Sequence, residues 1–194
     1  AGMAKETAHQ LGTPISSLMA WIQLIESLEI DPMIPREMHK VVERLEKITD
    51  RFSKIGSGGK LEEADLNITV KSVLDYLELR ISSKVRIHFT PGEDMLIKHN
   101  PSLIEWVIEN ITKNAVDAME GAGELYVTLH KTPEWAHIDI KDNGKGILEE
   151  NKSQIFEPKF TTKSSGMGLG LSIIKKIIEN YNGTITFESE IGVG

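Results

Sequence analysis

The chain has 194 residues, 40% hydrophobic and 26% charged, enough for about one large or two small globular domains. Its 22 basic and 29 acidic residues give a formal charge of -7, which argues against a nucleic-acid binder that works by neutralising phosphates. Without cysteine there is neither disulfide nor thiolate metal site, and no apolar run approaches a bilayer span or the core of a signal peptide.

Apolar residues at Leu11, Ile15, Leu18, Ile22 and Ile25, then at Met38, Val41, Leu45, Ile48, Phe52 and Ile55, alternate steps of three and four. Such a seam belongs to helices packed in a bundle. Asp31-Pro32 and Pro35 interrupt it, so the reading is an antiparallel helical hairpin, roughly residues 3–29 and 36–55. Two helices enclose little core, and pairing two hairpins into a four-helix dimer is the economical solution. The alternative is a hairpin that docks on the rest of its own chain. Residues 1–56 are therefore expected to form one domain, a homodimer through residues 3–55. Gly56-Ser57-Gly58-Gly59 reads as a flexible linker, and residues 60–194 form a second domain.

In that second domain, residues 67–82 read as a helix with Val70, Val73, Leu74, Leu77 and Ile81 buried, and residues 85–89 and 95–98 as strands. Asn100-Pro101 supplies an N-cap and a first-turn proline for a helix to about Met119. Residues 125–129 and 135–141 read as strands around a turn at Thr132-Pro133, residues 170–180 as a helix, and residues 184–189 as a strand. Strands on either side of helices without regular βαβ alternation make the fold α+β, a helical hairpin followed by an α/β sandwich. The chain stops where another strand could follow, so the sandwich is expected to be truncated at its C-terminal strand and the chain to be cut from a larger protein.

Three stretches in this domain read as one nucleotide site. On the helix from Pro101, Asn110, Asn114 and Asp117 share a face at i, i+4 and i+7. Carboxamide oxygens there suit Mg2+, with Asn114 the expected ligand, and Lys113 could add positive charge at the phosphates, although a solvated lysine is the commoner outcome. Asp142 closes a strand, where its carboxylate could accept the exocyclic amine of adenine while Gly144 and Gly146 turn beneath the base. Taken alone, Asp-Asn-Gly is an ordinary turn. Gly166, Gly168, Leu169 and Gly170 then open a helix whose N-terminal amides would meet phosphate. Between them, Thr161, Thr162 and Lys163 follow a short segment that could close over the nucleotide. The order and chemistry together point to ATP.

These motifs resemble the transmitter core of a bacterial sensor histidine kinase over nearly the whole chain. Asn110 to Asn114 are similar to that family's asparagine box, Asp142 to Gly146 and Gly166 to Gly170 to its two glycine boxes, and Phe156 to Phe160 to its phenylalanine box. The resemblance implies the sandwich fold of gyrase, heat-shock chaperone and mismatch-repair ATPases. Those hydrolases carry a glutamate base one turn before the metal-binding asparagine; Asn110 stands at that place, and Glu109 faces about a third of a turn away. That favours kinase over ATPase. The Phe-Thr-Thr-Lys run resembles the nitrogen-regulator branch.

The family's phosphoacceptor box resembles His9-Gln10-Leu11-Gly12-Thr13-Pro14, with its acidic and basic places changed. The resemblance implies that His9 is phosphorylated by ATP and passes the group to an aspartate of a response regulator receiver domain. Gln10 could accept a hydrogen bond from the imidazole but not its proton, while Glu6, on the His9 face, could substitute or be merely solvated. Thr13 could hold water against an aspartyl phosphate, giving phosphatase activity, or satisfy the backbone beside Pro14. Gly12 weakens the helix by about 1 kcal/mol relative to alanine. Two alternatives stand beside the kinase: a nucleotide-binding signalling module or regulator phosphatase with little autokinase activity, and an ATPase that drives conformational change. The fragment is expected to be cytoplasmic and free of membrane contact, within a full-length protein that could be anchored in the inner membrane.

Overall fold

The computed structural model describes residues 15–28, 31–57, 60–163 and 168–194. The chain divides into two compact units, residues 1–59 and 60–194.

In the first unit, helix α1 covers residues 15–26 and α2 covers Met33–Ser57. The helical pattern is entered by Asp31, whose Oδ1 accepts the Met33 amide at 2.9 Å. Pro35 does not break the helix as its composition suggested. It lies within the first turn, where a missing N–H costs nothing because those amides have no intrahelical acceptor. At the other end α2 runs through Gly56 and Ser57, which were expected to belong to a flexible linker. The expected apolar seam is only partly internal, and Val42 is buried where Val41 was expected. Ile15, Ile22 and Val42 are buried between the helices, with Met19 and Met38 packed beside them. Leu18, Trp21, Leu24, Leu28, Val41 and Leu45 stay exposed, Trp21 at 62% and Val41 at 60%. His39 and Glu26 join the helices at 2.9 Å.

The second unit opens with β1 (Glu62–Asp65), followed by α3 (Leu66–Glu78), β2 (Val85–Thr90), β3 (Leu96–His99), α4 (Pro101–Ala118), β4 (Gly123–Lys131), β5 (Ala136–Asp142), α5 (Glu149–Lys152) and α6 (Gly170–Asn180). Strands β1 and β3 form an antiparallel pair, and the main sheet has the order β2-β4-β5, with β2 parallel to β4 and β5 antiparallel to it. Asp65 caps α3 through the Asn67 amide at 2.8 Å, and Asn100 caps α4 through the Leu103 amide at 3.2 Å, with Pro101 at the first helical position.

One face of the sheet is covered. Leu125, Val127 and Leu129 of β4 meet Val70, Leu74 and Leu77 of α3 and Ile104, Ile108 and Ala115 of α4 in one buried cluster. The intervening Tyr126 and His130 are exposed, which makes the unit a two-layer α/β sandwich. Residues 184–189, expected as a strand, form no ladder; they are fixed instead by the Ile147 amide donating to Ser189 Oγ at 2.8 Å. Among the described residues no helix is long and apolar enough to cross a membrane.

Candidate nucleotide site

Helix α4 builds both the core and one wall of the site. Leu103, Ile104, Val107, Ile108, Thr112 and Ala115 are buried, leaving the face that carries Asn110, Asn114 and Asp117 turned away from the sheet. Asn110 directs its amide nitrogen to the carbonyl of Trp106 at 2.8 Å. Its Oδ1 lies 3.4 Å from where a Cβ on Gly170 would stand, so the carboxamide abuts the opening turn of α6.

Asn114 and Asp117 are brought together by a cation. The Lys163 ammonium sits 2.9 Å from Asn114 Oδ1 and 2.5 Å from Asp117 Oδ2. Two hard oxygen donors one turn apart thus already hold a positive group, and the same donor set suits a magnesium ion that keeps part of its water shell. Lys113 does not face this cluster; it is paired with Glu109 one turn back at 2.6 Å. Of the remaining predicted contacts, Thr161 Oγ1 accepts the Lys163 amide at 3.1 Å, and Thr162 occupies the bend between them.

Asp142 ends β5, and its Oδ1 accepts the Gly144 amide at 2.8 Å, closing an Asx turn. The turn is tied to the end of α4, because Lys145 N–H donates to the Ala118 carbonyl at 3.1 Å. Gly146 adopts φ +72, and a Cβ there would come within 2.3 Å of the Glu190 carbonyl oxygen. The first glycine turn is therefore clamped between the α4 terminus and the chain near residue 190.

The second glycine turn is clamped to the segment before it. Gly168 has φ +65, its carbonyl accepts the Lys159 amide at 2.8 Å, and a Cβ would lie 2.3 Å from the Lys159 carbonyl carbon. Lys159 itself is left-handed at φ 72, and that strain is held by the same hydrogen bond. Leu169 then precedes α6 at the N-cap position, where its apolar side chain offers no hydrogen-bond acceptor to the first amides of the helix. Phe156 is anchored edge-on to Phe187, with ring centroids 5.8 Å apart.

Asn110, Asn114, Asp117, Lys163, Gly168, Leu169 and Gly170 thus meet along α4 and the start of α6, while Asp142, Gly144 and Gly146 meet at the C-terminal end of α4. Gly166, and the expected residues Glu6, His9, Gln10 and Thr13, lie outside the described residues. Sequence reasoning missed Ala118, Lys159 and Glu190, whose contributions are backbone groups that leave no signature in residue type.

This arrangement defines an ATP-binding sandwich domain. Residues 99–194 match the family described as histidine kinase-, DNA gyrase B- and HSP90-like ATPases. The chain is 31% identical to the nucleotide-free catalytic domain of the histidine kinase ThkA, covering 62% of this chain and 81% of that one at a TM-score of 0.57. It is 29% identical to Sporulation kinase D of Bacillus subtilis (strain 168) over 99% of its own length. A structure of ThkA in complex with the response regulator protein TrrA matches 94% of this chain and 55% of that one, at 26% identity and a TM-score of 0.55. The chain belongs to the bacterial sensor histidine kinases. It spans about two fifths of Sporulation kinase D, 40% of that protein's length.

Proposed function

We propose that the chain is the transmitter core of a two-component sensor, which autophosphorylates His9 from ATP and passes the phosphoryl group to an aspartate of a response regulator receiver domain. The observation that carries the reading is the convergence of Asn114, Asp117 and Lys163 on α4, one turn from Asn110, which abuts the opening turn of α6. Paired oxygen donors, a lysine cation and a helix N-terminus are what a triphosphate with its metal requires. Asn114 would hold Mg2+, which supplies charge neutralisation between the phosphates. Lys163 would exchange its carboxamide and carboxylate partners for phosphate oxygens, and Asp142 would accept the amine of adenine above the Gly144–Gly146 turn.

In the transfer, the neutral imidazole of His9 supplies the lone pair that bonds to the γ-phosphorus. The bond from that phosphorus to the β,γ-bridging oxygen breaks, and ADP leaves with the electron pair. The proton of the other imidazole nitrogen must be held, a role open to Glu6 at i−3 and to Gln10 only as a hydrogen-bond acceptor. The exposed stripe of Trp21, Leu24, Leu28, Val41 and Leu45 supports assembly of two hairpins into a four-helix homodimer. Thr13 is the residue proposed to orient water for phosphatase activity on the regulator. ThkA, whose complex with TrrA matches along most of this chain, supports the receiver domain as partner.

Incubation with γ-labelled ATP and magnesium tests the proposal. Wild type is expected to yield acid-labile protein phosphate that His9→Ala lacks. Nucleotide binding without any label in wild type would favour the non-catalytic signalling module, and steady phosphate release without labelled protein would favour an ATPase.

A further inference from the structure

We propose that the outer face of the sheet carries a second ligand site, a two-histidine chelate formed by His130 and His137 for a divalent transition-metal ion of the zinc, nickel or copper type. The two residues are direct register partners on β4 and β5. Their rings stack with centroids 4.4 Å apart and planes within 3°. Facing side chains of an antiparallel pair are held at nearly fixed spacing by the ladder, so a chelate closes with little main-chain movement.

Each ring has one nitrogen engaged and one left over. His130 Nδ1 lies 3.1 Å from Asp139 Oδ2. An ionised carboxylate only accepts, so the hydrogen of neutral His130 sits on Nδ1 and the lone pair on Nε2. This carboxylate–imidazole pairing is the arrangement that orients metal-binding histidines. On the other strand, His137 Nε2 lies 3.4 Å from Thr132 Oγ1. That hydroxyl donates to the Trp135 carbonyl at 3.3 Å and accepts the Trp135 amide at 3.1 Å, which leaves it as an acceptor for His137. Turning the His137 ring alone, out of its weak 3.4 Å contact, lets a ring nitrogen of His137 reach an ion on His130 Nε2 while Asp139 keeps hold of His130 Nδ1, with water completing the shell.

Imidazole ligands select zinc, copper and nickel over magnesium, so the site differs in chemistry from Asn114 and does not rest on the kinase reading. Among the described residues no three His, Asp or Glu side chains converge as a metal cage. The chelate is accordingly bidentate, open and exchangeable. A third histidine on the same face, His88, is committed to Glu124 and stacked on Tyr126 at 4.6 Å. It serves as an internal control.

The test is calorimetric titration of the untagged full chain with zinc chloride and with nickel chloride, with magnesium chloride as reference. Wild type and His88→Gln are expected to take up one zinc or nickel ion per chain. His130→Gln and His137→Gln each weaken uptake at least about tenfold, as does Asp139→Asn through loss of the orienting carboxylate. Circular dichroism checks that the variants remain folded. Histidine imidazole ¹⁵N shifts in wild type report the site directly, moving for residues 130 and 137 and not for 88. Failure of wild type to bind either ion overturns the proposal, as does binding undiminished in both His130→Gln and His137→Gln.

Discussion

Replacing Gly168 by alanine separates the stability of the sandwich from the assembly of its nucleotide site. At φ +65 an L side chain costs about 1–2 kcal/mol. The added methyl also meets backbone on three sides, 2.3 Å from Lys159 C, 2.5 Å from Lys159 O and 2.6 Å from Phe160 O. None of these atoms belongs to a flexible side chain, so overpacking adds about 1–3 kcal/mol. The free protein can escape most of this by releasing the 2.8 Å bond from the Lys159 amide to Gly168 O, a loss of about 0.5–1.5 kcal/mol. A nucleotide that needs both turns in place must restore the strained arrangement. Urea unfolding should therefore shift by no more than about 1.5 kcal/mol, while affinity for a non-hydrolysable ATP analogue, measured by calorimetry, falls by the balance of about 0.5–4.5 kcal/mol, centred near seventyfold. Binding unchanged from wild type would refute the clamp. So would a global destabilisation of several kcal/mol with undiminished affinity in the folded fraction.

Lys163→Ala removes a cation from an ion pair whose side chains are 45% and 56% exposed, so the melting temperature of the free protein should hardly change. Analogue affinity should drop about tenfold, as for a lost charge-assisted hydrogen bond; a large fall in melting temperature with affinity intact would assign Lys163 to structure alone. Trp21→Asp combined with Val41→Asp, both on the exposed apolar stripe, should convert a dimer to monomers in light scattering without unfolding the second unit. Glu124 is held below the usual glutamate range, first by its hydrogen bond from His88 and then by Arg86. A depressed carboxylate stabilises the fold above its ordinary pKa and loses that contribution as pH falls through the lower folded value. Urea midpoints of Glu124→Gln should thus decline less steeply than those of wild type on the acid side of the ordinary glutamate pKa.

Where residue chemistry and local geometry coincide, the fold was legible in advance. Gly170 and Asn180 bound α6 as expected, and Asn100-Pro101 opens α4 because an N-cap acceptor and a fixed φ suit that place. Strand β1 was not legible: Glu62-Glu63-Ala64-Asp65 has no strand-forming residue, and its conformation comes from pairing with β3. The converse error occurred at residues 184–189, whose β-branched and aromatic alternation fits a strand although its backbone enters no ladder. Helical spacing placed Asn110, Asn114 and Asp117 on one face, yet it could not show that Asn110 turns back to Trp106 or that Lys113 is taken by Glu109. Lys163 reaches α4 from 46 residues beyond Asp117, a juxtaposition that only the tertiary fold creates.

Because α4 presents Ile104, Ile108 and Ala115 to the core and Asn114 and Asp117 to the site, whatever seats itself on the outer face braces the inner one. Thermal-shift screening should consequently detect small molecules that bind beside Asn114 and Asp117 even when no reaction can be followed. The same linkage makes inhibitors act as folding aids for weakened mutants, a trait to anticipate when compounds against this domain are tested in cells.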